Sequence, residues 1–260
     1  MLLAMLKVLQ KKPQNDKLTS NWKKAYTEVV DAYLGDLPDD TEDFKFKVDD
    51  KEYTPKSYAK SLGLNMDDYV SLTSYTHHPF YSSFMLEVPD NWAMQQCYNI
   101  PLDEFMQVME DAIMNGYTFA WGADVSEKGF SFRDGLAIVP KDESTIKTRG
   151  KDNKHFSDAG AEKIANCFEE PVEEKDITQK IRQIGYDSQT TTDDHGMHIT
   201  GLVKDQNGSK YFIVKNSWGA TRNDCDGYFY ASFPYVRYKT MNIMIHKDAI
   251  SKSIRKKLGL

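Results

Sequence analysis

Cysteine is scarce in this chain of 260 residues, which carries three, Cys97, Cys167 and Cys225. An odd, sparse set excludes a disulfide framework, and no pair has the close spacing of a zinc ribbon or redox dithiol, so a reducing, cytoplasmic setting is expected. Long hydrophobic runs are also missing. No stretch approaches the ~20 apolar residues that span a bilayer. The opening Met1-Leu2-Leu3-Ala4-Met5-Leu6 is interrupted by Lys7, and Gln10-Lys11-Lys12-Pro13 follows without a small-residue cleavage site. It reads as a helix remnant rather than a signal peptide. There is no excess of base: 33 Lys and Arg stand against 39 Asp and Glu, spread along the chain. A basic stripe for nucleic acid or an anionic membrane is therefore excluded. No internal repeat is visible, which excludes solenoids and propellers. What is present is core material, 40% hydrophobic residues including 12% aromatic, enough for one large globular domain or two modest ones.

The first third reads as helix-rich. Thr19-Ser20 can cap a helix through Leu34, whose positions Trp22, Tyr26, Val29, Val30 and Tyr33 recur at three- and four-residue steps and call for a surface to pack on. The alternation Phe44, Phe46, Val48 predicts a short strand, and Thr54-Pro55 a helix ending near Gly63. Pro101 opens a second amphipathic helix, to Asn115, with Leu102, Phe105, Met106, Met109 and Ile113 on one face and Gly116 as its C-cap. A buried strand is expected over Tyr117–Asp124. Residues 141–192 are polar, with weaker helical patterns at Ala159–Phe168 and Lys175–Ile184, and read as a surface insertion. In the last third His195–Val203, Lys210–Lys215, Gly227–Phe233 and Thr240–His246 alternate or run apolar between turn-rich segments, as antiparallel strands do. Helices collected before strands predict an α+β fold rather than a doubly wound sheet.

Two of these strands carry the candidate chemistry. Asp193-Asp194-His195-Gly196-Met197 and Lys215-Asn216-Ser217-Trp218-Gly219 are joined through Asp205-Gln206-Asn207-Gly208, the signature of a hairpin. A two-residue Asn207-Gly208 turn would set His195 opposite Ala220 and leave Asn216 four residues away on the same face. At ~3.3 Å per residue that is too far for a hydrogen bond, so a longer turn or a bulge has to shift the register. If the two meet, a neutral amide can hold one imidazole nitrogen and set the ring's tautomer, while a nearby indole shields the bond. A metal site from Asp193, Asp194, His195 and His198 is disfavoured, because residues 195 and 198 of a strand point to opposite faces. His77-His78-Pro79 reads as a loop whose histidines lack an evident carboxylate or cysteine partner. Neither a metal nor another cofactor is expected.

His-Gly on one strand and Asn-Ser-Trp-Gly after the next resemble the signature of papain-like cysteine peptidases. From about Tyr75 to Lys247 the order of segments is similar to the aminopeptidase C/bleomycin hydrolase branch: the Pro101-led helix, Tyr117–Val125, Asp194-His195-Gly196-Met197, Lys215–Gly219 and Gly227-Tyr228. The resemblance implies a papain-like fold, incomplete here, whose antiparallel sheet bears His and Asn. Residues 1–74 would be a helix-rich remnant of the N-terminal part and an insertion, 75–247 the papain-like region, and 248–260 a tail. It also implies that His195 is the general base and acid, Asn216 its orienter and Trp218 the cover of their contact. The substrate implied is a peptide or aminoacyl amide, and the partner a homo-oligomer or a complementing N-terminal piece.

The chain departs from the family where the nucleophile belongs. The family's Gly-x-Cys-Trp segment and its upstream Gln are matched by none of the three cysteines. Cys97 follows Gln95-Gln96 without the glycine or tryptophan, Cys167 precedes Glu169-Glu170, and Cys225 lies between Asp224 and Asp226, neighbours that raise a thiol pKa. Met1 therefore reads as an internal start, and the polypeptide is expected to be inactive alone. The rival expectation is a non-catalytic, peptidase-like binding or interaction protein. The basic end Ile254–Leu260 reads as a surface helix, so exopeptidase behaviour follows from the resemblance only.

Overall fold

Alternation of buried and exposed side chains at the predicted strands is realised in the computed structural model, which describes residues 2–11, 20–35, 44–146 and 166–260. Two units divide the chain, residues 1–64 and 65–260.

The first unit holds helices α1 (Leu2–Gln10) and α2 (Asn21–Leu34), a hairpin of β1 (Phe46–Val48) and β2 (Lys51–Tyr53), and helix α3 (Pro55–Ser61). The turn residues Asp49 and Asp50 both take positive φ, as a tight hairpin turn demands. Edge-on contacts of Tyr58 with Phe46 and Tyr53 pack the hairpin on α3, and Thr54 and Ser57 cap that helix reciprocally. The apolar stripe of α2 was expected to find a partner surface; none of its residues is buried, and Tyr33 and Leu34 are exposed.

In the second unit one sheet of ten strands carries the core. Its members are β3 (Tyr69–Thr73), β4 (Ser83–Met85), β5 (Gln96–Asn99), β6 (Phe119–Ala123), β7 (Phe130–Ser131), β8 (Leu136–Ala137), β9 (His195–Lys204), β10 (Lys210–Lys215), β11 (Tyr228–Ser232) and β12 (Thr240–His246). They lie in the order β4-β5-β3-β12-β6-β9-β10-β11-β8-β7, antiparallel except for β3 with β5 and β11 with β8. Helix α4 (Leu102–Met114) buries Leu102, Phe105, Met106, Val108, Met109 and Ala112 in the main core, with Pro101 at its N-cap position and Gly116 at φ 82° behind it. The expected α+β, papain-like architecture is this sheet with its flanking helices.

Several details of the fold have physical causes. The division falls after Leu64 rather than 74, because β3 pairs with both β12 and β5 and so belongs to the large sheet. The helix expected at the basic end is α7 (Lys252–Leu258), which buries Ile254 and Leu258, while Lys257 bridges to Glu104 and the Tyr81 hydroxyl rather than being left to solvent. The polar stretch contains α5 (Gln179–Asp187), whose Arg182 is fully buried. Its guanidinium donates to the carbonyls of Ser74 and Arg237 and stacks over the Tyr75 ring at 4.5 Å, while Nη2 has no hydrogen-bond partner among the described residues. The helical pattern at 159–168 lies largely outside the described residues. Helix α6 (Phe233–Lys239), between β11 and β12, was not anticipated, although Ser232 caps it and Pro234 stands in its first turn.

Candidate active site

The register problem posed by the sequence is solved twice over in the β9–β10 hairpin. Lys204 pairs with Lys210, and Asp205 donates its amide to the Ser209 carbonyl, so the loop is the three residues Gln206-Asn207-Gly208. Asp205 Oδ1 accepts from the amides of Asn207 and Ser209, and Gly208 takes φ 86°, which a side chain resists. The longer loop moves the pairing by one residue. Further along, Ile213 pairs with Gly201 but Val214 with Ile199, leaving Thr200 unopposed in a bulge that moves it by one more. Continuing from the Lys215–His198 pair brings Trp218 opposite His195 and leaves Asn216 only two positions away on the same face. Diagonal neighbours at that spacing are within side-chain reach.

They do meet. His195 Nε2 lies 2.8 Å from Asn216 Oδ1, and the Ser217 amide donates to that same oxygen at 2.7 Å. The second bond decides the polarity of the first. An N–H needs an acceptor, so the atom facing Ser217 is the amide oxygen, and His195 must donate to it through Nε2–H. In the neutral ring Nδ1 is left with a lone pair, free to take up a proton. The Trp218 indole stacks on the imidazole with centroids 4.9 Å apart and planes at 29°, and is itself held edge-on by Phe130 and Phe132. Asn216 is buried, and its backbone N–H donates to the Gly227 carbonyl at 3.1 Å. Gly227 has φ 83°, and a Cβ there would stand 3.1 Å from the Gly219 carbonyl oxygen, so the Gly227-Tyr228 motif has a steric reason.

The segment leading into His195 is anchored by a buried ionic cluster that sequence reading missed. Lys239, at the end of α6, is 1% exposed; its ammonium lies 3.5 Å from Asp124 and contacts Glu127. It also donates to the Thr190 carbonyl and the Thr191 hydroxyl. Asp124 accepts from the amides of Ser126 and Thr192, and Asp194 accepts from the Thr192 hydroxyl and the Ser126 amide. Burial, and a hydrogen bond shared with Asp194, push the Asp124 carboxyl up to about 6 in spite of Lys239, whereas Asp194 is held below its usual value by its donors against the opposing pull of desolvation. A lysine is ordinarily a surface residue, and nothing in the sequence singled out Lys239.

Beside His195 the sheet carries a depression of about 410 Å³ whose walls include Asp90, Trp121, Asp193, Asp194 and Met197. His198 points elsewhere, its Nε2 2.8 Å from the Thr118 hydroxyl, as strand alternation requires. The two cysteines with a shifted pKa are both shifted upward. Cys97 is buried on β5 with Sγ 4.0 Å from Asn242 Nδ2, and burial raises its pKa. Burial first, and then Asp224 and Asp226, raise that of Cys225, while Cys167 lies buried against Ile138 and Phe168. Among the described residues no helix is long and apolar enough to cross a membrane.

A profile of the Peptidase C1-like family matches residues 3–140 and 162–259. Among curated proteins the chain is 24% identical over 228 residues to "Aminopeptidase C" of Lactococcus lactis subsp. cremoris, covering 83% of this chain and 46% of the relative. It is 22% identical over 263 residues to "Aminopeptidase G" of Lactobacillus delbrueckii subsp. lactis, covering 96% and 53%. The chain thus spans about half the length of the curated relatives it matches. Among solved structures, that of PepW from Lactobacillus rhamnosis HN001 superposes with a TM-score of 0.60 at 17% identity, over 99% of this chain and 55% of the other.

Proposed function

Because this chain belongs to the Peptidase C1-like family, we propose that it is the His/Asn part of a cysteine aminopeptidase acting on peptide or aminoacyl amides. The observation that carries this reading is the doubly held Asn216 oxygen, which leaves His195 Nδ1 as the free proton-accepting atom. In that reaction a thiol gives its proton to Nδ1 and the thiolate attacks the amide carbonyl carbon. The imidazolium then returns the proton to the leaving nitrogen as the C–N bond breaks; water next attacks the acyl thioester as Nδ1 takes its proton, and the C–S bond breaks to release the acid and restore the thiol. Asn216 keeps Nε2–H engaged throughout, and Trp218 keeps water from that bond. In this reading the three cysteines, none of which lies in a Gly-x-Cys-Trp type sequence, are not the nucleophile, and the thiolate comes from a segment that has that sequence. A complementing piece or a homo-oligomer is the protein partner in this reading, and the free thiols support a cytoplasmic setting.

Assay of the purified chain against fluorogenic aminoacyl amides is expected to give no turnover; turnover abolished by His195→Ala would refute the missing nucleophile. Co-expression with the Cys-bearing half of an aminopeptidase C relative is expected to give hydrolysis that His195→Ala removes. A second reading, a peptide-binding protein without chemistry, is favoured by the raised pKa of Cys97 and Cys225. It predicts a co-purifying complex that binds peptide and leaves it intact.

A further inference from the structure

The loop after β3 brings two imidazoles together, and the fold supplies the carboxylate that the sequence did not reveal. Glu87, from the loop after β4, stands with Oε2 3.6 Å from His77 Nε2 and Oε1 3.8 Å from His78 Nε2. The three ligand atoms all lie within 4.8 Å of one another. Around a tetrahedral zinc ion with bonds of about 2.0–2.1 Å, donor atoms stand roughly 3.3–3.4 Å apart. Each imidazole nitrogen is therefore within about half an ångström of that distance from one oxygen of Glu87; the carboxylate, half in solvent, can turn to present a single oxygen to both, and a small movement of the rings closes the separation between the two nitrogens. The rings are already oriented: His77 stacks on Tyr186 with planes at 9°, and His78 on Phe84 with centroids 4.3 Å apart. Such preorganisation lowers the ordering cost of binding.

We propose that His77, His78 and Glu87 form a site for a divalent transition metal of the zinc class, open to solvent at its remaining position. Two imidazoles and a carboxylate suit zinc and its neighbours rather than magnesium or calcium, which select oxygen donors. Gln183 sets how tightly the site holds. Its Oε1 accepts the Thr76 amide at 2.6 Å and its Nε2 donates to Asp187 at 2.7 Å, so it presents an N–H to His77 Nδ1, 3.1 Å away. Metal-free His77 thus carries its proton on Nε2, toward Glu87. Ligation at Nε2 moves the proton to Nδ1, which then needs an acceptor, and the Gln183 amide must turn away from Thr76. The site is tuned for exchangeable rather than permanent binding.

The chain, prepared without a histidine tag, is titrated with zinc chloride by calorimetry and followed by ¹⁵N NMR of the imidazoles. One equivalent is expected to bind, with His77 passing from the Nε2–H to the Nδ1–H tautomer. His77→Ala, His78→Ala and Glu87→Gln should each weaken binding by at least about 10-fold. His198→Ala should leave it unchanged. Far-UV dichroism of each variant establishes that the fold is kept, and Glu87→Gln, a conservative change at an exposed side chain, serves if an alanine variant does not fold. Absence of binding at about 1 mM zinc, a Kd limit beyond about −4 kcal/mol, overturns the site. So does binding that none of the three ligand changes weakens, or a His77 tautomer that zinc leaves unaltered.

Discussion

At the scale of single residues, the chemistry of Asn216 rests on one oxygen with two donors. Asn216→Ala removes the acceptor for both the His195 Nε2–H and the Ser217 amide, which sit in a largely dry position beneath Trp218. The expected cost is about 1–3 kcal/mol of stability, the range for stranding buried donors. The sharper consequence is loss of tautomer control: ¹⁵N NMR should show His195 as a mixture of both tautomers in the alanine variant and as Nε2–H in the parent. Asn216→Asp keeps an acceptor for both donors and should keep the Nε2–H form. A parent spectrum dominated by Nδ1–H would contradict the assignment. These residues were legible because His-Gly and Asn-Ser-Trp-Gly are short, contiguous and chemically specific. Asp124 and Lys239 were not, since a buried ammonium is decided by groups 48 to 115 positions away, among them the Thr191 hydroxyl and the Asp124 carboxylate, and a lysine in isolation reads as solvated.

At the scale of elements, period-two patterning located β10 and β12 to the residue, because strands buried on one face must alternate. The order of strands was hidden, since β12 enters between β3 and β6 and that choice is made by distant side chains such as Ile243, Leu72 and Trp121. The hairpin register was half legible: the sequence demanded a shift, but the Thr200 bulge has no local signature. The junction from β10 to β11 is where the element and the site constrain each other. Gly227→Ala must place a Cβ at φ 83° and 3.1 Å from the Gly219 carbonyl oxygen, with the Ala220 backbone 3.3 Å away. The positive φ alone costs about 1–2 kcal/mol, and the backbone contacts add to it. Urea unfolding should show at least that loss, accompanied by a change in tryptophan emission as the loop after Trp218 is displaced. Gly196→Ala, beside His195 but with nothing within 4 Å of its added Cβ, should shift stability by less than about 0.5 kcal/mol. Equal losses at both glycines would refute the steric account of the Gly227 motif.

At the scale of the whole molecule, the cluster behind His195 ties three separate parts of the chain into one titrating unit. Asp124 follows β6, Asp194 leads into β9 and Lys239 ends α6, with Glu127 and the Tyr235 hydroxyl packed against them. Since Asp124 titrates at about 6 when folded and near 3.8 as a free side chain, the folded protein holds a proton between these values that the unfolded chain releases. Linkage then gives the sign: where the native state binds more protons, stability falls as pH rises. Asp124 therefore contributes its stabilisation below about pH 4 and loses it progressively up to about pH 6, opposite to an ordinary paired carboxylate. Asp194, whose folded value is lowered, runs the other way and loses its contribution as pH falls. Asp124→Asn isolates the first effect, since asparagine retains an acceptor and a donor at the site without titrating. Removing the anion facing Lys239 should destabilise the variant at neutral pH, but by more at pH 4 than at pH 7, because only the parent gains from protonation at the acidic end. Urea midpoints measured across that interval should thus show the gap between parent and variant narrowing as pH rises. A gap that widens would place the shared proton elsewhere in the cluster and remove Asp124 from its centre.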